Sequence, residues 1–378
     1  MKLVIIVNDL SVVGGLERVV ANLANAFATA EGGKKYSVII YSFLDSFYKI
    51  PYKLDSKVKL FRRRGFINFK RPKNAILKLL FEILCVRQFI KAVNAVILRL
   101  RKWEFKRFII KEKPDFIIDN ENKTLLSGIL NASKCDYMKC VHNNFEVYKK
   151  LDLSVYKNIA LLVSKELQDY KNLYSQNKFF VIPNFLPEIP ASSCDYSKKV
   201  VLSIGRLNVQ KGFCRLIEAW NLIKMDSNFK EWKLHIVGEG ELKDELEAQI
   251  AALNLQDSII LKPFTNKVEN EYKNASIYAM TSLFEGLPMV LLEAASYGMP
   301  LISFDILSGP REVIDKNGFL IKDGKLESYA ERLKTLMSDE NLRQSLGAES
   351  KRIAQEKFSK SAILQKWQEA IKQIKECK

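Results

Sequence analysis

The chain has 378 residues and is 48% apolar, enough for about two domains that each bury a core. Its six cysteines, at 85, 135, 140, 194, 214 and 377, form no Cys-x2-Cys pair, and His142 and His235 are its only histidines. That pattern excludes a zinc ribbon, a histidine-rich metal centre and a secreted disulfide framework, and predicts reduced thiols in the cytoplasm.

The first element, Leu3–Val7, is too short for a signal-peptide core and runs into polar Asn8-Asp9, so it reads as a buried strand. Val38–Tyr41, Phe116–Asp119, Tyr137–Val141, Ala160–Val163 and Phe179–Ile182 follow as strands, with helices over Leu16–Ala28 and Lys165–Leu173. Most of these strands are continuous apolar runs, as parallel strands covered on both faces should be. A Pro- and Ser-rich linker spans 183–193. The pattern then restarts: strands at Val200–Ile204, Leu234–Val237, Ile259–Leu261, Ile277–Met280 and Leu301–Phe304 alternate with helices at Phe213–Ile223, Leu242–Leu253, Pro288–Tyr297 and Leu326–Met337. Such alternation predicts an α/β fold of two doubly wound Rossmann-like domains facing across a cleft, residues 1–187 and 188–359.

Five features carry chemistry. Gly14-Gly15-Leu16-Glu17-Arg18 joins the first strand to the first helix, where glycines permit close approach and a helix N-terminus attracts phosphate. It lacks the third glycine of a dinucleotide fingerprint. Arg206 and Lys211, on the turn after Val200–Ile204, can grip one diphosphate from two sides. Gly238-Glu239-Gly240 ends the next strand as a turn. Glu285 and Glu293 flank Pro288, whose position at a helix start leaves the amides of Met289, Val290 and Leu291 for phosphate and a carboxylate on either side for sugar and ribose hydroxyls. His142 ends the strand Tyr137–Val141, at the strand edge where such folds hold ligands.

Together these motifs resemble family 4 glycosyltransferases, retaining enzymes of the GT-B fold with a Glu-x7-Glu signature, over nearly the whole chain and most strongly from 200 to 313. The resemblance implies a second domain that holds a nucleotide-sugar, a first domain that takes the acceptor, and a last helix, 360–378, crossing back to the first domain. It implies that Arg206 and Lys211 hold the phosphates, Glu293 the ribose and Glu285 the donor sugar. Gly14, Gly15 and Gly238 then lie near the donor, His142 beside the reacting sugar, and Ser308–Glu312 in a loop near the donor. His142 and Glu285 are the catalytic candidates, and a backbone carbonyl rather than a carboxylate nucleophile faces the anomeric carbon. Asn184 departs from the pattern because Phe185 follows it where relatives carry glycine. No Asp-x-Asp occurs in the chain, so Arg206, Lys211 and helix amides are expected to replace a metal clamp, with no cofactor and no metal.

Charge locates the partner. The net charge is +17; residues 1–187 hold 33 basic and 16 acidic residues, residues 188–378 hold 27 of each, and residues 56–113 alone hold 18 and 3. Arg62, Arg63, Arg64, Lys70, Arg71 and Lys73 alternate with Phe61, Phe66 and Phe69, ahead of a helix with Val86, Phe89, Ile90, Val93, Val96, Ile97 and Leu100 on one face and Arg87, Lys91, Asn94 and Arg101 opposite. Charges interrupt the apolar run too often for a membrane span, and the mixture suits an anionic bilayer surface. A core helix with a solvated basic rim is the alternative; nucleic acid is not expected, since no nucleic-acid motif accompanies the charge. The expected enzyme is peripheral on the inner face of the cytoplasmic membrane. It moves a sugar from a UDP-linked donor to a glycolipid, either a lipopolysaccharide core or a polyprenyl-diphosphate oligosaccharide. A sugar-nucleotide epimerase of similar shape and a non-catalytic nucleotide-sugar-binding scaffold are the rival readings.

Overall fold

A computed structural model describes residues 1–30, 36–44, 46, 49–62, 86–121, 126–307 and 309–376. Arg63, Arg64, Lys70, Arg71, Lys73 and Ser308 lie outside the described residues.

Two parallel sheets organise the chain. The first has the order β3-β2-β1-β4-β5-β6-β7, from Lys59–Arg62, Ser37–Leu44, Lys2–Asp9, Phe116–Asp119, Asp136–Val141, Asn158–Leu161 and Lys178–Val181. The second has the order β10-β9-β8-β11-β12-β13, from Ile259–Lys262, Lys233–Val237, Val200–Ile204, Ile277–Met280, Leu301–Asp305 and Gly318–Lys322. Each strand order reverses at its first strand, so the loops after β1 and β4, and those after β8 and β11, open at the two switch points where such sheets bind ligands.

The edge strands β3 and β13 were not anticipated. Lys59-Leu60-Phe61-Arg62 alternates exposed and half-buried residues, because an edge strand has an open side and does not need a continuous apolar run. The polar helix Glu340–Phe358 was likewise unmarked by periodicity; Asp339 caps it by accepting from the Leu342 amide at 2.9 Å.

The helix Lys360–Glu376 packs on the first sheet. Ile363, Trp367, Ala370, Ile371 and Ile374 join the core formed by Leu3, Ile5 and Phe27, with Trp367 edge-on to Phe27 at 6.4 Å. The two passages between the domains run side by side where the Leu186 amide donates to the Phe358 carbonyl at 2.9 Å.

The helix Val86–Glu112 corrects the predicted faces. Ile97, Arg101, Phe105, Phe108 and Ile109 turn inward, while Val96, Leu100, Trp103 and Ile110 are exposed. The predicted apolar face is thus split, Ile97 turning inward while Val96 and Leu100 face solvent, and Arg101 is buried rather than on the outer side.

Candidate active site

In the second domain, glycines let two loops touch. A Cβ on Gly238 would stand 1.9 Å from the Gly205 carbonyl oxygen, and one on Gly240 2.2 Å from that of Leu207. The Leu207 amide donates to the Glu239 carbonyl at 2.9 Å, and the Leu242 amide to the Leu207 carbonyl at 3.0 Å. This interlock fixes the turn that carries Arg206 and Lys211. Asn208 caps that turn by accepting from the Lys211 amide at 3.3 Å, and the Lys211 stem lies over Gly205, where a Cβ would meet it at 3.1 Å. The Lys211 ammonium reaches Glu285 Oε1 at 2.6 Å, and Ser282 Oγ donates to the same oxygen at 2.8 Å. Arg206 is exposed, with no ion-pair partner among the described residues.

After β11 the chain turns through Gly286 into the helix Met289–Ser296. Pro288 is its extended N-cap rather than its first helical residue. The Leu291 amide donates to the Pro288 carbonyl at 3.1 Å and Leu291 is fully buried, so of the three amides predicted for phosphate this one is already used. Gly286 abuts the first domain: a Cβ there would lie 2.5 Å from the His142 carbonyl oxygen.

The first domain contributes the loops after β1, β4 and β5. Tyr52 ties the glycine loop down, its hydroxyl accepting from the Gly14 amide at 2.7 Å. Gly15 opens onto empty space, with nothing within 4 Å of a Cβ placed there. One turn on, Arg18 crosses the cleft to Glu293 Oε1 at 2.6 Å, while Tyr272 donates to Glu293 Oε2 at 2.9 Å. His142 is partly buried, with Nε2 2.8 Å from Asn120 Oδ1. Burial, and then the Lys139 ammonium, push its pKa down to about 3, so it is neutral at physiological pH. Beneath it Lys139 and Asp119, both fully buried, pair at 3.2 Å; Lys139 also donates to the Glu121 carbonyl, and Tyr156 donates to Asp119 Oδ2 at 3.3 Å.

A cavity of about 320 Å³ between the domains brings together Gly15, His142, Lys211, Glu285, Met289 and Val290, with Arg18, Asn143 and Asn184. Glu293 lines an adjoining cavity of about 380 Å³ with Arg18, Tyr272 and Met289. Gly14, Arg206, Gly238 and Leu291 line neither: Gly14 and Gly238 shape the loops, and Leu291 sits in the core. Arg62, on the edge strand β3, is also outside both cavities. The motifs did not mark Asn120, the Asp119–Lys139 pair or Tyr272. The only signal for the first three was polar residues in otherwise apolar strands: Asp119 and Asn120 at the end of β4 and Lys139 in the middle of β5.

Residues 187–353 match the family model of glycosyl transferases group 1. Over 98% of its length the chain is 28% identical to the amylovoran biosynthesis glycosyltransferase AmsD of Erwinia amylovora, covering 99% of that protein. A Campylobacter jejuni relative, the GalNAc-alpha-(1->4)-GalNAc-alpha-(1->3)-diNAcBac-PP-undecaprenol alpha-1,4-N-acetyl-D-galactosaminyltransferase, is 26% identical over 96% of each chain. Among solved structures, a mutant of Staphylococcus aureus TarM, crystallised with fondaparinux, alpha-GlcNAc-glycerol and UDP, superposes with a TM-score of 0.74 at 17% identity, covering 98% of this chain and 99% of that one. The second domain thus matches the glycosyl transferases group 1 family model, and the whole chain is similar in length to bacterial glycosyltransferases and shares the GT-B fold.

Proposed function

We propose that this glycosyltransferase moves a sugar, with retention and without a metal, from a UDP-sugar to a lipid-linked saccharide at the inner face of the cytoplasmic membrane. The observation that carries this reading is the meeting of Lys211, Glu285, the start of the helix Met289–Ser296 and His142 around one interdomain cavity. A cation and helix amides suit a diphosphate; a carboxylate and a neutral imidazole suit sugar hydroxyls. Glu293 and Tyr272 in the adjoining cavity suit a ribose.

In this reading the diphosphate lies against Lys211, Arg206 and the amides of Met289 and Val290. Those groups stabilise the charge that grows as the bond from the anomeric carbon to the β-phosphate oxygen breaks. The acceptor oxygen bonds to the same face of that carbon, and its proton passes to the departing phosphate. Glu285 and His142 hold the sugar through its hydroxyls. Support for retention comes from relatives: the Campylobacter jejuni protein is named for an α-linkage, and the TarM crystal contained alpha-GlcNAc-glycerol beside UDP. The same Campylobacter name specifies an undecaprenol-diphosphate acceptor, which supports a lipid-linked saccharide here.

Membrane attachment is assigned to the first domain. No helix among the described residues is long and apolar enough to cross a bilayer. The helix Val86–Glu112 presents Val96, Leu100, Trp103 and Ile110 outward at helical spacing, 42–63% exposed. Arg99, Lys106, Arg107 and Lys111 surround them and are exposed too. Apolar residues ringed by cations suit the headgroup boundary of an anionic bilayer.

The test is transfer from a panel of UDP-sugars to polyprenyl-diphosphate-linked saccharides, with the product anomer read by NMR and the assay repeated in EDTA. Acceptor-dependent release of UDP, an α-product and activity that survives EDTA are expected. A β-product rejects retention. Loss of activity in EDTA with rescue by magnesium or manganese rejects metal independence. Sugar turnover that ignores the acceptor rejects transfer.

A further inference from the structure

Beneath the cleft, the loop after β4 presents Asn120 to the ring of His142. Asn120 is fully buried, and its orientation is settled by its other partner: Nδ2 donates to the Ile6 carbonyl at 3.1 Å. Turned the other way, the amide oxygen would face that carbonyl oxygen, two acceptors in a buried site. Oδ1 is therefore the atom 2.8 Å from His142 Nε2, and a carbonyl oxygen can only accept, so Nε2 must carry hydrogen. The loop is held in turn by the Lys139–Asp119 pair and by Lys139 on the Glu121 carbonyl.

We propose that Asn120 is a positioning residue, which holds His142 as the neutral Nε2–H tautomer so that Nδ1 is kept as a hydrogen-bond acceptor for a donor-sugar hydroxyl.

Neutrality fits the surroundings. The nearby Lys139 opposes a charged imidazole, and Arg18 and Lys211, which line the cavity that His142 faces, are each paired with a carboxylate, Glu293 and Glu285. The carboxylates nearby are engaged: Asp119 by Lys139 and Tyr156, and Glu285 by Lys211 and Ser282. Glu121 is buried at the end of the loop. The Cys140 thiol and Tyr148 hydroxyl are pushed up by burial and stay protonated, so neither offers His142 a charge partner. A neutral Asn at position 120 fixes the tautomer without adding the negative charge that an Asp would bring, and Asp would favour imidazolium.

The inference rests on His142 facing the donor sugar, and the test separates the two statements. With two histidines in the chain, a 15N-histidine spectrum of the whole protein is readable, and His235→Gln assigns it. His142 is expected to carry hydrogen on Nε2 at pH 7 and to remain neutral at pH 5. Asn120→Asp is expected to bring its titration up into the neutral range. That variant should also give the transfer rate an acid limb, with falling activity as pH drops, which the parent lacks above pH 5. Asn120→Ala should lower kcat roughly tenfold while the Kd for UDP stays unchanged. Hydrogen on Nδ1 in the parent, or an Asn120→Asp protein whose His142 and pH profile match the parent's, overturns the role of Asn120 whatever its activity. A His142→Ala enzyme with full kcat, alongside the expected tautomer, overturns the contact with the sugar instead.

Discussion

In the second domain, the loops after β8 and β9 meet backbone to backbone, Gly238 against Gly205 and Gly240 against Leu207, and the turn they fix carries an exposed Arg206 and a Lys211 paired with Glu285. In the first domain, the loop after β4 is held by side chains: a fully buried Lys139–Asp119 pair, an asparagine and a histidine. One half of the cleft gets its shape from the absence of side chains, the other from burying charged ones. The difference has a chemical logic. In the proposed reading a diphosphate needs close amides and reachable cations, which a bare backbone turn can present. A sugar needs donors and acceptors of fixed sense, and only a satisfied polar network fixes which atom donates.

The largest expected effect breaks the first-domain half. Lys139→Met leaves Asp119 buried without its cation and should cost roughly 3–5 kcal/mol of stability. Lys139→Met with Asp119→Leu should recover a good part of that, because no uncompensated charge remains. Equal losses in the single and double variants, read from urea unfolding midpoints, would mean that the pair's charges do not hold the loop.

A smaller effect is expected on the other side. The Cβ of Gly238→Ala stands 1.9 Å from the Gly205 carbonyl oxygen, so one loop must move, at about 1–3 kcal/mol. The movement should also displace Arg206 and weaken UDP binding. Calorimetry that finds UDP affinity intact in Gly238→Ala would separate the interlock from the phosphate site. Arg206→Ala tests that site directly: loss of a charged hydrogen bond should cost roughly 1.5–3 kcal/mol of UDP affinity. It is a cleaner probe than Lys211→Ala, which also leaves Glu285 without its cation.

These contrasts explain what could be read in advance. The two sheets were legible because covered parallel strands are written as continuous apolar runs; the edge strands β7 and β10 were legible too, whereas β3, which alternates exposed and half-buried residues, and β13 were missed. His142 was legible because it ends such a run, and Gly15, Lys211, Glu285, Met289 and Val290 because they lie in the loop or helix start that follows one, where the fold opens. Leu291 was misread because its amide closes a tight i→i−3 turn on the carbonyl of the N-cap Pro288, a bond that the sequence does not mark. The outward face of the helix Val86–Glu112 was misread for a different reason: apolar residues occupy two stripes of it, and periodicity cannot say which stripe the sheet covers. Asn120 and Lys139 carried no motif at all; their meaning comes from long-range partners, Ile6 for the one and Asp119 for the other.

Acid sharpens the comparison again. His142 has its pKa pushed down to about 3 in the fold, against an unfolded value near 6.5. Between those values the unfolded chain binds the extra proton and the native one does not, so stability rises with pH across that window and falls as pH drops from about 6.5 towards 3. His142→Gln should flatten that part of the slope without changing stability at pH 8 by as much. An unchanged slope between pH 6.5 and 4, measured by thermal unfolding, would mean that the imidazole titrates normally in the folded protein.

The smallest effect expected lies where the two halves meet. Arg18 reaches Glu293 across the cleft at 2.6 Å, but its side chain is 41% exposed, so the pair should contribute no more than about 1 kcal/mol to stability and should weaken with salt. Its influence on the nucleotide has a definite sign in the proposed reading. Glu293 is to accept from the ribose hydroxyls, and in the free protein its Oε1 is already occupied by Arg18 and its Oε2 by Tyr272. Removing Arg18 frees one oxygen, so Arg18→Ala should bind UDP slightly more tightly, by less than about fivefold. The gain should shrink as salt rises, because salt already loosens the pair in the parent. Weaker UDP binding in Arg18→Ala would reverse the assignment: Arg18 would then hold the nucleotide itself, and the first domain would share in gripping the phosphates that the second domain alone is proposed to hold.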